Sequence, residues 1–117
     1  MKVIIAGSRG ITDDNLIREA IYKSGFNVTE VVSGHAIGVD RAGEAYAQLN
    51  NLKVTLFIPD WNKHGRGAGF IRNEQMAEYA DALIAIWDGE SKGTKHMIDI
   101  AKKKNLQVYV LVSMGIK

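Results

Sequence analysis

Apolar residues gather along the chain in five short runs rich in β-branched side chains, at positions 3–6, 31–32, 54–58, 82–87 and 108–112. The runs are nearly continuous and do not alternate with polar residues. That is the pattern of strands covered on both faces, as in a parallel sheet flanked by helices. Between the runs lie stretches of helical period. After Thr12, which is expected to cap the first helix, Asp13 and Asp14 suit the positive end of its dipole, and Leu16/Ala20 and Ile17/Ile21 pair at i,i+4. Gly25 suits the left-handed position that closes a helix. A second helix is expected over about 39–50, with Ala42, Ala45, Tyr46 and Leu49 on one face, and a third over about 69–80. The fourth starts near Thr94, stacks Met97, Ile98 and Ala101, and ends in Lys102, Lys103 and Lys104, where cations suit the dipole.

Strand and helix therefore alternate, which predicts right-handed crossovers and an open, doubly wound Rossmann-like α/β fold with helices on both faces. In such a sheet, ligands bind beyond the carboxyl ends of the strands. The segments after the strands carry glycine, hydroxyl groups and free backbone N–H groups: Gly7-Ser8-Arg9-Gly10, Ser33-Gly34-His35-Ala36-Ile37-Gly38, and residues 88–94 with Glu90, Gly93 and Thr94. Each is expected to stand just ahead of a helix, where N–H groups and dipole attract phosphate. A single glycine turn is ordinary βα chemistry; three on one sheet edge point to an anionic ligand. Neither the GxGxxG fingerprint nor the GxxxxGK[ST] loop is present, which argues against a standard dinucleotide enzyme or P-loop NTPase.

Residues 59–68 lack apolar periodicity and are expected to form a long loop, which in so small a domain points to function. With the start of the next helix they hold Lys63, His64, Arg66 and Arg72 and no acid between Trp61 and Asn73. This local positive field matters because the whole chain is close to neutral, with 15 basic and 13 acidic residues. Such a balance argues against a dedicated nucleic-acid binder. Arg72 stands in the first turns of a helix, where the dipole disfavours a cation, so an anionic partner is expected for it. Trp61 offers a stacking face for a base or a lid for the core. Asp40 suits a ribose hydroxyl or the cap of the second helix. His35 and His64 read as polar lining, and His96 as surface.

The 117 residues leave room for one domain, 1–117, with one core. The absence of cysteine removes disulfides, thiol catalysis and thiolate metal sites and accords with a reducing compartment. No metal site or resident cofactor is expected. The apolar run at 3–6 is too short for a signal-peptide core or a membrane span, which predicts a cytoplasmic protein without membrane contact.

Five segments together, Ala6-Gly7-Ser8-Arg9, Val32-Ser33-Gly34 through Gly38-Val39-Asp40-Arg41, Asp60-Trp61, Ala68-Gly69 with Ile71-Arg72-Asn73 and Met76, and Ser91-Lys92-Gly93-Thr94, resemble the YspA-like, cpYpsA-related branch of the SLOG superfamily, common in bacteria and their phages. The resemblance spans essentially the whole chain. It implies a Rossmann-like domain that binds nucleotides or nucleotide-derived ligands, and kinship with the LOG phosphoribohydrolases and the DNA-processing protein DprA. Two positions depart from the pattern. Where the branch usually shows Gly-Gly-Ala-Arg-Gly, this chain has Gly34-His35-Ala36-Ile37-Gly38, so an arginine is missing that Arg66 or His35 would have to replace. Where the LOG enzymes carry a glutamate after Gly-Thr, this chain has Met97, which can neither polarise a ribose nor activate water.

The expectation that follows is a sensing or sequestering module for a soluble, phosphate-bearing nucleotide or ADP-ribose-like molecule. Its expected contacts are Gly7, Ser8, Arg9, Ser33, Gly34, His35, Gly38, Asp40, Trp61, Arg66, Arg72, Asn73, Gly93 and Thr94. One alternative is a nucleoside-monophosphate N-glycosidase of LOG type, with Arg72 on the phosphate and Asp40 or Glu90 as acid–base group. Another is DprA-like DNA binding through Lys63, Arg66 and Arg72. The apolar side chains Phe70, Ile71, Met76 and Tyr79, with Met97 and Ile98, exceed what a small sheet is expected to cover. They predict a homodimer with Phe70 or Met76 near the contact.

Overall fold

The computed structural model describes residues 1–113. Five parallel strands, β1 (Lys2–Gly7), β2 (Glu30–Ser33), β3 (Lys53–Leu56), β4 (Ala82–Trp87) and β5 (Gln107–Val112), form one sheet in the order β3-β2-β1-β4-β5. The helices are α1 (Asp14–Ser24), α2 (Val39–Leu49), the short α3 (Trp61–His64), α4 (Ala68–Tyr79) and α5 (Lys92–Lys103). This is the Rossmann-like α/β architecture expected from the runs. No helix among the described residues is long and apolar enough to cross a membrane.

The alternation of side chains along a strand sends neighbours to opposite faces. Val3 and Ile5 pack with Ile17 and Ala20 of α1 and Val39 and Ala47 of α2. Ile4 and Ala6 pack with Met76 and Ala77 of α4 and Met97, Ile98 and Ala101 of α5. Successive crossovers run from β1 out to β3, then reverse direction to reach β4 and β5. With a constant right-handed crossover, reversing direction moves the helices to the other face. The strand order therefore breaks between β1 and β4, and the crevice above that break is where this fold receives ligands.

Several local expectations are corrected. Helix α1 is capped by Asp13 and not by Thr12: the Asp13 side chain accepts the Asn15 N–H at 2.8 Å, leaving only Asp14 in the first turn. Its far end closes on Gly25 at φ 71°, as the sequence suggested. The turn 7–10 does not stand just ahead of a helix, since α1 begins only at Asp14. The stretch 59–68 is not an open loop. Asp60 accepts the Lys63 N–H at 3.0 Å and starts α3, and residues 65–67 continue as a 3-10 turn into α4. The strands are not all buried on both faces. β3 and β5 are the edges, where one side lacks a neighbour, and Leu56 and Val112 lie exposed at 43% and 55%. Of the apolar surplus on α4 and α5, Met76, Met97 and Ile98 are buried under the chain's own sheet, while Phe70 is half-exposed and stacks on His96.

Candidate functional site

The carboxyl ends of β1 and β4 deliver two turns that are tied to each other. The Ser8 N–H donates to the Ile86 carbonyl at 3.1 Å, and Ser8 Oγ accepts the Asp88 N–H at 3.0 Å. Asp88 in turn accepts the N–H groups of Glu90 and Ser91, both at 2.8 Å, which holds its carboxyl below the usual carboxylate range. The Trp87 indole N–H reaches the Ser91 carbonyl at 3.1 Å, and Ser91 caps α5 by accepting the Thr94 N–H at 3.3 Å. Gly7 sits in this seam because a side chain there would run into the Ile86 carbonyl and Val39. Gly38, at φ 84°, lets the backbone enter α2 directly against the carbonyls of Ser8 and Arg9.

Above the seam opens a cavity of about 100 Å³ whose walls include Gly7, Arg9, Asp40, Arg72, Asn73, Gly93 and Thr94. A neighbouring hollow of about 180 Å³ is walled by Gly34, His35, Pro59 and Trp61 and shares Arg9, Ala36 and Arg72 with the first. Arg72 thus lines both of two adjoining hollows, together termed the groove. Its Nη1 donates to the Gly34 carbonyl at 2.6 Å and its Nε to Asn73 Oδ1 at 3.0 Å. Among the described residues Nη2 has no acceptor, and no carboxylate lies within ion-pair distance of the guanidinium. Burial lowers the Arg72 pKa, Asp40 opposes that shift, and the charge of Arg9 adds to it. Two cations thus line the groove without a direct ion pair, with the Asp40 carboxyl the acid that acts on Arg72 from a distance.

Asp40, in the first turn of α2, is 5% exposed. Burial pushes its carboxyl up from 3.8 to about 6, against the pull of the Ala36 and Gly7 amides and of Arg72. Asn73 is also buried. Its amide nitrogen donates to the Gly93 carbonyl at 3.3 Å and lies 3.1 Å from His96 Nδ1, fixing the ring with Nδ1 as acceptor. Burial lowers the His96 pKa in the same sense. His96 is thus half-buried between Asn73 and the Phe70 ring, although it lines neither hollow.

The groove brings together Gly7, Arg9, Gly34, His35, Asp40, Trp61, Arg72, Asn73, Gly93 and Thr94. It leaves others aside. Ser8 is 2% exposed and committed to Asp88, Ser33 is fully buried, Gly38 shapes the turn, and the exposed Arg66 and Glu90 line neither hollow. Met97 forms part of the cavity wall at the position where the LOG pattern wants a glutamate. Sequence reasoning took in Asp88 and Ser91 only as part of the segment 88–94 and missed Glu44. The signal for Glu44 was available, because its i,i+4 spacing from Asp40 puts both carboxyls on one helical face.

The pattern of motifs along this fold is that of a known group: the YspA, cpYpsA-related SLOG family matches residues 1–64, more than half the chain. The chain belongs to that family. It is also similar to the Gene 61 protein of Mycobacterium phage D29, at 32% identity over 117 residues, covering 92% of this chain and 93% of that protein. No solved structure matches it. The SLOG match takes in the β1 turn, the β2 turn and Asp40; Arg72 and the α5 turn lie beyond it, within a chain that the phage relative parallels almost throughout.

One prediction follows from the packing of Gly34. A Cβ there would collide with the Arg72 guanidinium, approaching Cζ at 2.8 Å. Gly34→Ala is expected to dislodge Arg72 from its carbonyl anchor, and so to weaken about tenfold or more the anion binding proposed below, while leaving the core packed. Calorimetric titration beside a melting curve separates the two effects, and unchanged affinity would show that the anchor is not needed.

Proposed function

We propose that this SLOG domain binds a nucleotide or nucleotide-derived ligand of the ADP-ribose kind, as a sensing or sequestering module, with phosphate on Arg72 and Arg9. The observation that carries this reading is the half-buried Arg72, held by neutral acceptors and lining two adjoining hollows without an ion pair. A cation kept partly out of water with donor capacity unspent is suited to a planar, charge-assisted contact with phosphate. The Gly93-Thr94 turn, in the first turn of α5, adds the positive end of a helix dipole on the opposite wall. Asp40 provides an acceptor for a ribose hydroxyl, and Trp61, 54% exposed, provides an aromatic face for a base.

The test is a thermal-shift and calorimetric series with nucleoside monophosphates, cyclic nucleotides, ADP and ADP-ribose. A ligand present at a hundred times its Kd stabilises the folded state by about 2.7 kcal/mol, roughly ten degrees for a domain of this size. A folded protein that responds to none of them at millimolar concentration would end this reading.

A further inference from the structure

His35 occupies the turn after β2 at φ 62°, a left-handed conformation that few non-glycine residues adopt. Three hydrogen-bonded groups hold it there. Its N–H donates to Ser33 Oγ at 3.0 Å, and the Ser33 hydroxyl donates to Glu44 Oε2 at 2.6 Å. The His35 ring closes the circle, with Nδ1 lying 3.0 Å and 2.9 Å from the two Glu44 oxygens. A carboxylate only accepts, so Nδ1 carries the proton and the neutral ring keeps a lone pair on Nε2. Among the described residues no hydrogen bond uses Nε2. The ring is one-third exposed, with 35% of the side chain accessible, and His35 shares a hollow with Arg9, Arg72 and Trp61.

Holding a loop in shape needs neither a carboxylate on the imidazole nor a ring opening onto two arginines. We propose that His35 is a general base that activates water against a phosphoryl group held by Arg9 and Arg72, so that the groove hydrolyses nucleotide phosphoanhydrides. This rests on the reading that phosphate lodges on those arginines. The water oxygen bonds to phosphorus as its proton passes to His35 Nε2. The bond from phosphorus to the bridging oxygen breaks, and its electron pair leaves with the departing phosphate. That leaving group needs no proton near neutral pH, so one base suffices, and the imidazolium returns its proton to solvent. Glu44 is a positioning residue that fixes the tautomer and supports the imidazolium. The other charged groups around the ring are Arg9, Arg72, Asp40, and Arg41, whose Nε reaches the His35 carbonyl at 3.5 Å.

The experiment incubates the full chain with ADP and with ADP-ribose, follows release of phosphate and of AMP by chromatography, and measures binding of the same compounds by thermal shift. The wild type is expected to cleave at least one of them. Asparagine tolerates the left-handed backbone, so His35→Asn should fold, keep a ligand-induced shift, and lose turnover by about a hundredfold or more. Added imidazole should restore part of the activity of His35→Ala. Glu44→Gln should lower kcat with little change in the ligand-induced thermal shift, because an amide can turn either its oxygen or its NH2 to Nδ1 and no longer fixes the tautomer. Binding without cleavage, or cleavage equal in His35→Asn, would overturn this inference and leave the binding reading standing. Absence of any nucleotide response would overturn both.

Discussion

Arg72→Ala is expected to reduce affinity for the phosphate-bearing ligand by at least a hundredfold. A charge-assisted hydrogen bond contributes about 1.5–3 kcal/mol, and the guanidinium has Nη2 and half of Nη1 to offer an anion in the groove. Arg9 cannot take over, since it is exposed and its contribution is screened by solvent. The fold should tolerate the change better than the site does. Losing the bond to the Gly34 carbonyl costs stability, but removing a half-buried cation relieves the desolvation that lowers the Arg72 pKa. Arg72→Lys keeps the charge without the planar fork and should recover only part of the affinity. Isothermal titration of the three proteins with the best ligand of the nucleotide series decides it. Wild-type affinity in Arg72→Ala would move the binding site elsewhere.

The sequence made the sheet legible because its runs report burial directly. Val3–Ala6 in β1 and Ala82–Trp87 in β4 are continuous, and they occupy two of the three interior positions, where both faces are covered. The same reasoning overstated β3, whose run at 54–58 looks equally apolar although the strand is an edge and Ile58 is 64% exposed. An edge position depends on strand order, which hydrophobicity does not encode. Arg72 stood out in the sequence through a local conflict, a cation in the first turns of a helix with no acid from Trp61 to Asn73. Ser8 and Ser33, which the sequence offers as ligand contacts, are buried and have their hydroxyls bonded within the fold. A hydroxyl in a glycine turn suits a phosphate, but here the partners are Asp88 and Glu44, 80 and 11 residues away in sequence. The short α3 escaped notice because four residues carry no period, although Asp60 with the Lys63 N–H three residues on is a cap signal.

Asp40→Asn is expected to make the protein more stable near neutral pH, and the argument runs through the proton. In the unfolded chain this carboxyl ionises near its ordinary 3.8; in the folded chain burial holds the proton until about 6. Between those values the folded state binds more protons than the unfolded one, so the stabilisation from the retained proton is full below pH 3.8 and is lost as pH rises through 6. The difference is on the order of 3 kcal/mol, and the ionised wild type carries it as a penalty at pH 7. Asparagine matches the protonated acid in shape, can still accept the Ala36 N–H, and never ionises. The variant should therefore gain on the order of 1–3 kcal/mol over wild type at about pH 7, with the gain vanishing below about pH 4. Urea unfolding of both proteins across that range isolates the effect, because the carboxyls of Glu30, Asp88 and Asp99, whose lowered pKa values act in the opposite direction, are common to both. A variant less stable than wild type at pH 7 would mean that attraction to Arg72 outweighs the cost of burying the charge. If the gain appears together with weakened nucleotide binding, the buried carboxyl is kept at a cost in stability for the ligand it receives.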